Sequence, residues 1–305
     1  MKLRRVLLLS LLLAWSFIIL TGLGIAVLLF INTPENQPDI SEAEPDFPEI
    51  ETVTDDPDIM DIQTNDILTD IKPISNAYVR EIPLPLTSEM EERLEQFRKN
   101  ARLLHEEYPE HFLISLPATE KTAALTFDDG PDNSSTPEIV EILNTYRVPA
   151  TFFLIGRQME NNMDTIQYLI DSGHTLANHS WSHVRPTDAA IEEMMNEVGR
   201  AQEKLDAVDA GNKLFRPPYG LVNRTQMPAL IDAGYQVIGW SVDSMDWYFD
   251  KPEDIVTCVV ENIHPGAIVL LHSSGGPANR KATIEALPLI IETLLEQGYR
   301  FVALK

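Results

Sequence analysis

The stretch Ala123-Ala-Leu-Thr-Phe-Asp-Asp-Gly-Pro131 decides the fold. Ala123–Phe127 reads as a short buried strand, and Asp-Asp-Gly-Pro stops it with two acids and two turn residues. The same arrangement recurs downstream. Thr175-Leu-Ala177 runs into Asn178-His179-Ser-Trp-Ser-His183, and Leu214-Phe215 into Arg216-Pro-Pro-Tyr219-Gly220. Ile238-Gly-Trp-Ser-Val242 runs into Asp243-Ser-Met-Asp246-Trp247, and Val269-Leu-Leu271 into His272. Further strand candidates are Ala150–Ile155, His174–Ala177, Gln236–Val242 and Tyr299–Ala303. Helical patterns lie between them: from Thr136-Pro137, read as an N-cap with Pro at the first helical position, toward Tyr146; Met159–Ile170, ending at Gly173; Ile191–Val208; Asp254–Ile263; and Ile284–Glu296. Strand–helix alternation from Lys121 onward predicts an α/β fold with a parallel sheet closed, or nearly closed, into a (β/α) barrel. In such a barrel the strand ends share one face, so these acids, imidazoles and one Arg converge at a single mouth.

His179 and His183 can present two imidazoles to one ion, and a carboxylate from another strand end completes a His₂-carboxylate site with open positions for water. A bare H-x₃-H pair is more often two hydrogen-bonded or surface histidines. Asp128 and Asp129 shift that balance, because adjacent like charges at a strand end need a cation or hydrogen-bond donors to offset them. Neighbouring residues point in different directions, so one acid can ligate while the other faces a bound water. Taken singly, Arg216 reads as a structural cation, Trp247 as a core aromatic, His272 as an interior histidine, and Asp243 equally as a turn residue or a catalytic one. His105, His111, His174 and His264 read as structural. Cys258, the only cysteine, sits in an apolar helix and is expected to be buried and inert. One cysteine also excludes an internal disulfide and any multi-thiolate zinc site.

These five clusters, Thr126-Phe-Asp-Asp-Gly-Pro131, His179-Ser-Trp-Ser-His183, Arg216-Pro-Pro-Tyr219, Asp243-Ser-Met-Asp-Trp247 and Leu270-Leu-His272, resemble in order the motifs of carbohydrate esterase family 4, the polysaccharide deacetylases. The resemblance covers Lys121 to about Leu304. It implies a distorted barrel of seven to eight units and metal-dependent removal of an N-acetyl group from an amino sugar. It implies Asp129, His179 and His183 as metal ligands, with Zn2+ the expected ion and Co2+, Mn2+ or Ni2+ alternatives. It gives Asp128 as the base that takes a proton from the attacking water and Arg216 as its brace. His272 becomes the acid that protonates the departing amine, with Asp246 orienting it. The Tyr219 backbone N–H helps hold the oxyanion, and Trp247 and Leu270 wall the acetyl pocket. Family members acting on muramic acid tend to have an aromatic residue where Pro131 stands and to lack Tyr219, which favours N-acetylglucosamine as the sugar. Chitin oligomers and poly-N-acetylglucosamine remain rival substrates, and a glycan-binding envelope protein with little turnover is the rival of another class.

The rest of the chain is unlike this domain. Met1–Arg5 is basic and precedes Val6–Ile31, which carries no charge. That length exceeds the roughly 7–15 apolar residues of a cleavable signal and suits a membrane span, the alternative being an unusually long signal peptide. Basic residues before the span orient everything from Asn32 onward to the outside, so a single-pass membrane protein with an extracellular catalytic domain is expected. The expected organisation is an anchor (1–32), an acidic Pro-rich disordered linker (33–85), an amphipathic helix and lead-in (86–118) and the catalytic domain (119–305). Ser88-Glu-Met-Glu91 resembles a capping box for that helix. Thr33–Pro73 holds 13 acids against one base, so half of the net charge of −24 belongs to a self-repelling tether. So acidic a chain excludes wrapping a nucleic acid, which draws on clustered Lys and Arg.

Overall fold

The computed structural model describes residues 79–118, 120–276 and 280–305. The expected membrane span, the tether Thr33–Pro73 and most of the expected linker (33–85) lie outside these residues. Among the described residues no helix is long and apolar enough to cross a membrane.

The sheet is wholly parallel between its named strands. Strands β1 (Phe112–Leu113), β2 (Thr122–Gly130), β3 (Ala150–Leu154), β4 (Thr175–Asn178), β5 (Leu214–Phe215), β6 (Gln236–Ile238), β7 (Val242–Asp243) and β8 (Ala267–His272) are ordered β1-β6-β5-β4-β3-β2-β8-β7. A short β9 (Arg300–Phe301) joins the start of β2. The stretch expected as one strand, Gln236–Val242, is instead two. Its first part pairs with β1 and β5 and its second with β8, while the Ser241 N–H donates to the Ile268 carbonyl. The segment thus carries the chain from β6, next to one end of the strand order, to β7 at the other end, an arrangement consistent with a (β/α) barrel. Gly239 sits at the break, where an added Cβ would lie 3.1 Å from Ile114.

Period-2 alternation sorts the strand side chains. Ala123, Leu125 and Phe127 of β2, with Val269 and Leu271 of β8, belong to the core shared with helices α2 (Ser135–Tyr146) and α8 (Lys281–Glu296). Ala124, Ile268, Leu270, Phe153 and Ala177 belong to a second cluster and face inside the ring. Asp128 continues the inward column of Ala124 and Thr126, and His272 that of Ile268 and Leu270.

The first described helix, α1 (Ser88–Glu107), buries Met90, Leu94, Phe97, Ala101 and Leu104, as the periodicity predicts. Its N-cap is Thr87, whose hydroxyl accepts from the Met90 N–H, so Ser88 is the first helical residue and the expected Ser88–Glu91 box is displaced by one. Residues 79–81, which fall in the expected linker (33–85), are seated on the domain. Val79 is buried, the Arg80 N–H donates to the Ser241 carbonyl, and Asn262 donates to the Glu81 carbonyl. The start of α2 differs from expectation for a similar reason. Asp132 accepts from the Ser134 and Thr136 N–H groups, so the first turn is capped from outside and Thr136 is helical. Its hydroxyl instead donates to the Ser273 carbonyl, tying the loop after β2 to the loop after β8. The Met159–Ile170 pattern divides into α3 (Gly156–Met159) and α4 (Met163–Asp171). The remaining helices are α5 (Ile191–Asp206), α6 (Met227–Asp232) and α7 (Pro252–Val260).

Candidate active site

Asp128 and His272 are register partners at the ends of adjacent strands β2 and β8. That pairing alone places a carboxylate beside an imidazole at the mouth. Asp129 would point away from them if β2 continued its alternation, but the β2–β3 register shifts between Phe127 and Gly130. Asp129 itself takes φ 70°. The bulge turns its carboxylate to the same side as Asp128. The two acids therefore converge, where alternation alone predicts divergence.

The histidines come from the loop after β4, which is not helical. Ser180 and His183 both take positive φ. The loop is pinned from within and from α5: Asn178 accepts from the Ser180 N–H, Ser180 from the His183 N–H, and Glu197 of the following helix from both the N–H and hydroxyl of Ser182. Asp129 Oδ1 lies 3.2 Å from His183 Nε2 and 3.5 Å from His179 Nε2. His179 Nδ1 is 2.8 Å from the Arg216 carbonyl, which can only accept, so the proton sits on Nδ1 and the Nε2 lone pair faces Asp129. Asp129 Oδ1 is buried and accepts no hydrogen bond, and one ligand atom from each of Asp129, His179 and His183 falls within a 4.8 Å span. An orphaned carboxylate oxygen beside two imidazole nitrogens is the donor set that a divalent cation satisfies.

Arg216 is the largest fully buried side chain. Its Nη1 donates to Asp128 Oδ1 at 2.7 Å and to Thr126 Oγ1 at 2.8 Å, while Nε and Nη2 donate to the carbonyls of Ile238 and Gly239. Phe153 supports the guanidinium, its ring centre 4.1 Å away. Every arm of the fork is used, so Asp128 is held with Oδ2 turned toward His179 at 3.7 Å.

On the other side, Asp246 Oδ1 meets His272 Nδ1 at 2.7 Å, and Oδ2 accepts from the His272 N–H and the Thr283 hydroxyl. Burial disfavours the imidazolium and Arg280 adds to that, but the Asp246 carboxylate prevails and the His272 pKa is raised. Asp243 serves the turn: Oδ1 accepts from the Met245 N–H and the Trp247 indole N–H, and burial raises its pKa to about 6.

Tyr219 takes φ 60° in the loop after β5, and its ring lies 4.7 Å from that of His183, half-exposed at the rim. Leu270 is buried one inward rung below His272, so it forms the floor. Trp247 is half-buried and packs at the edge of a separate cluster with Met90, Leu94 and Met245. The structure thus brings Asp128, Asp129, His179, His183, Arg216, Asp246 and His272 together, with Tyr219 at the rim. Three participants escape the sequence reading: Thr126, Thr283 and Arg280. Thr126 is foreshadowed by its place two residues before Asp128 on one face, whereas Arg280 and Thr283 lie well past the end of β8, at the start of α8, and carry no comparable signal.

Fold and site together define a hydrolase-type centre: a buried carboxylate and a partly buried imidazole on register-paired positions beside a His₂-carboxylate set, at the mouth of a parallel α/β sheet. The polysaccharide deacetylase family model matches residues 115–238. A peptidoglycan-N-acetylglucosamine deacetylase of Bacillus cereus is 37% identical over 189 residues, covering 61% of this chain and 88% of that protein. A chitooligosaccharide deacetylase of a Bradyrhizobium species is 34% identical, covering 59% and 87%. A solved peptidoglycan N-acetylglucosamine deacetylase superposes with a TM-score of 0.63 at 32% identity, covering 66% and 95%. The chain belongs to the polysaccharide deacetylase family.

Proposed function

We propose that this protein removes N-acetyl groups from the amino sugars of a cell-surface polysaccharide, with peptidoglycan N-acetylglucosamine as the substrate and zinc as the ion. The observation that carries the reading is the pairing of Asp128 with His272 across β2 and β8, each fixed by its own partner, Arg216 and Asp246. Binding a glycan needs neither a base nor an acid, and amide hydrolysis needs both.

Asp129, His179 and His183 would hold the ion, whose chemistry is Lewis-acid polarisation of the amide carbonyl and acidification of water. Asp128 Oδ2 receives the proton of the attacking water, and Arg216, bound to Oδ1, keeps the carboxylate in place. The Tyr219 backbone N–H stabilises charge on the carbonyl oxygen as the tetrahedral centre forms. His272, its Nδ1 committed to Asp246, delivers a proton from Nε2 to the nitrogen, because an amine leaves and an amide anion does not. Leu270 and Trp247 receive the acetyl methyl.

Pro131 and Tyr219 support N-acetylglucosamine over muramic acid, and the Bacillus cereus relative supports the cell wall. The Bradyrhizobium relative supports the rival reading, free chitooligosaccharides. An N-terminal span and a tether of about 40 residues, with a reach on the order of 40 Å, suit an enzyme held at its own membrane beneath the wall. The expected result is acetate release from purified wall, abolished by chelator and restored by zinc. Asp128→Asn should lower that rate about 10²–10⁴-fold while melting as the wild type does. A metal-loaded protein that releases no acetate from any N-acetylated glycan refutes the proposal, and faster release from free oligomers transfers it to the rival substrate.

A further inference from the structure

We propose that Arg280 is a positioning residue of this site: its guanidinium braces the second oxygen of Asp129 and locks the Asp246 turn, as Arg216 braces Asp128. The inference rests on the metal-site reading above and names a further residue on which that site depends.

Arg280 is 5% exposed, and its whole fork is directed at the site. Nε donates to the Ser274 carbonyl at 3.0 Å, Nη1 donates to the Asp246 carbonyl at 3.2 Å, and Nη2 stands 4.0 Å from Asp129 Oδ2. Each of the two adjacent acids therefore has one oxygen facing a buried guanidinium and the other facing the imidazoles. A carboxylate held in this way offers one oxygen in a fixed direction.

Two features show that the chain accommodates this guanidinium at a cost. Arg280 takes φ 57°, a conformation that disfavours side chains by roughly 1–2 kcal/mol. Gly276, at φ 73°, lies against it so closely that an added Cβ would fall 2.6 Å from Cζ. Burying a guanidinium costs several kcal/mol unless its donors and charge are answered, and here the answers are two carbonyls of the loops after β7 and β8 and a carboxylate of the metal site. Thr283, one turn on, donates to Asp246 Oδ2, so the start of α8 holds Asp246 by both backbone and side chain.

The test uses the full chain with zinc alone as the probe, measured by competition with a chromophoric chelator, alongside kcat and KM for acetate release. Arg280→Met should weaken zinc binding by about 10–100-fold, the usual effect of losing a residue that orients a ligand, and lower kcat with little change in KM. Arg280→Lys should recover part of the loss, and millimolar guanidinium should partly rescue Arg280→Ala. Gly276→Ala, which crowds the guanidinium without removing it, should reproduce the zinc defect and guards against a misfolded Arg280 variant. Zinc affinity unchanged or increased in both Arg280→Met and Gly276→Ala overturns the inference, since a cation that merely repels the ion would tighten binding when removed. If the wild type binds zinc but deacetylates nothing, the functional proposal fails while the zinc comparison still decides the role of Arg280.

Discussion

Asp128 and Asp129 are chemically identical neighbours with different surroundings, and backbone geometry makes the difference. The first keeps the strand register and meets Arg216; the second is swung by a bulge and a positive φ toward two imidazoles. Positive φ at non-glycine residues is concentrated here: Asp129, Ser180, His183, Tyr219, Met245 and Arg280 all adopt it, each at a cost of order 1–3 kcal/mol. His174, at the opposite end of β4, shows the contrasting case of a structural histidine. Its Nδ1 accepts from the Ala150 N–H, which leaves the ring neutral, and burial lowers its pKa to about 4. An unfolded chain takes up that proton near pH 6.5, so this stabilisation is complete above pH 6.5 and is lost as pH falls toward 4. The loss is about 2 kcal/mol by pH 5. Denaturation of the wild type and His174→Gln at pH 7 and pH 5 should show the wild type losing more stability; parallel losses contradict the assignment. At this scale the residue types of the site were legible because they follow strand ends. The bulge that makes Asp129 converge with Asp128 was not, since alternation argues the reverse.

Among the elements, α1 has a larger part than its amphipathic pattern suggests. Phe97 stacks on Trp240 with ring centres 4.8 Å apart, and both rings close over Gly220, where an added Cβ would meet Phe97 at 2.5 Å. Met90 and Leu94 pack in the cluster that contains Met245. One helix thus backs the loop that carries Tyr219 and the turn that carries Asp246. Phe97→Ala should cost about 3–5 kcal/mol of stability, measured by chemical denaturation. A cost below 1 kcal/mol would make the helix an ornament rather than part of the domain. Its periodicity was readable, but the partner of its apolar face was not, because Trp240 and Met245 are far away in sequence. The split of Gln236–Val242 into β6 and β7 was hidden for a related reason: the break depends on which neighbour each half pairs with, and pairing is not written in local pattern.

For the whole molecule, the net charge of −24 divides between an acidic segment before the domain and a domain that brings four of its acids to one mouth. Around that mouth, Asp128, Asp129, Asp243 and Asp246 face Arg216, Arg280 and three imidazoles. A divalent ion bound only by the folded site stabilises the fold in proportion to its occupancy. Zinc at 100 times its dissociation constant should add about 2.7 kcal/mol, seen as a raised melting temperature, and Asp129→Ala should abolish the increment. An equal increment in that variant would place the ion elsewhere. The most direct test of the central claim is mass spectrometry of muropeptides from wall treated with the zinc-loaded protein. Loss of acetyl from N-acetylglucosamine, absent with Asp128→Asn, is the predicted result. Unaltered N-acetylglucosamine, or loss confined to muramic acid, would contradict it.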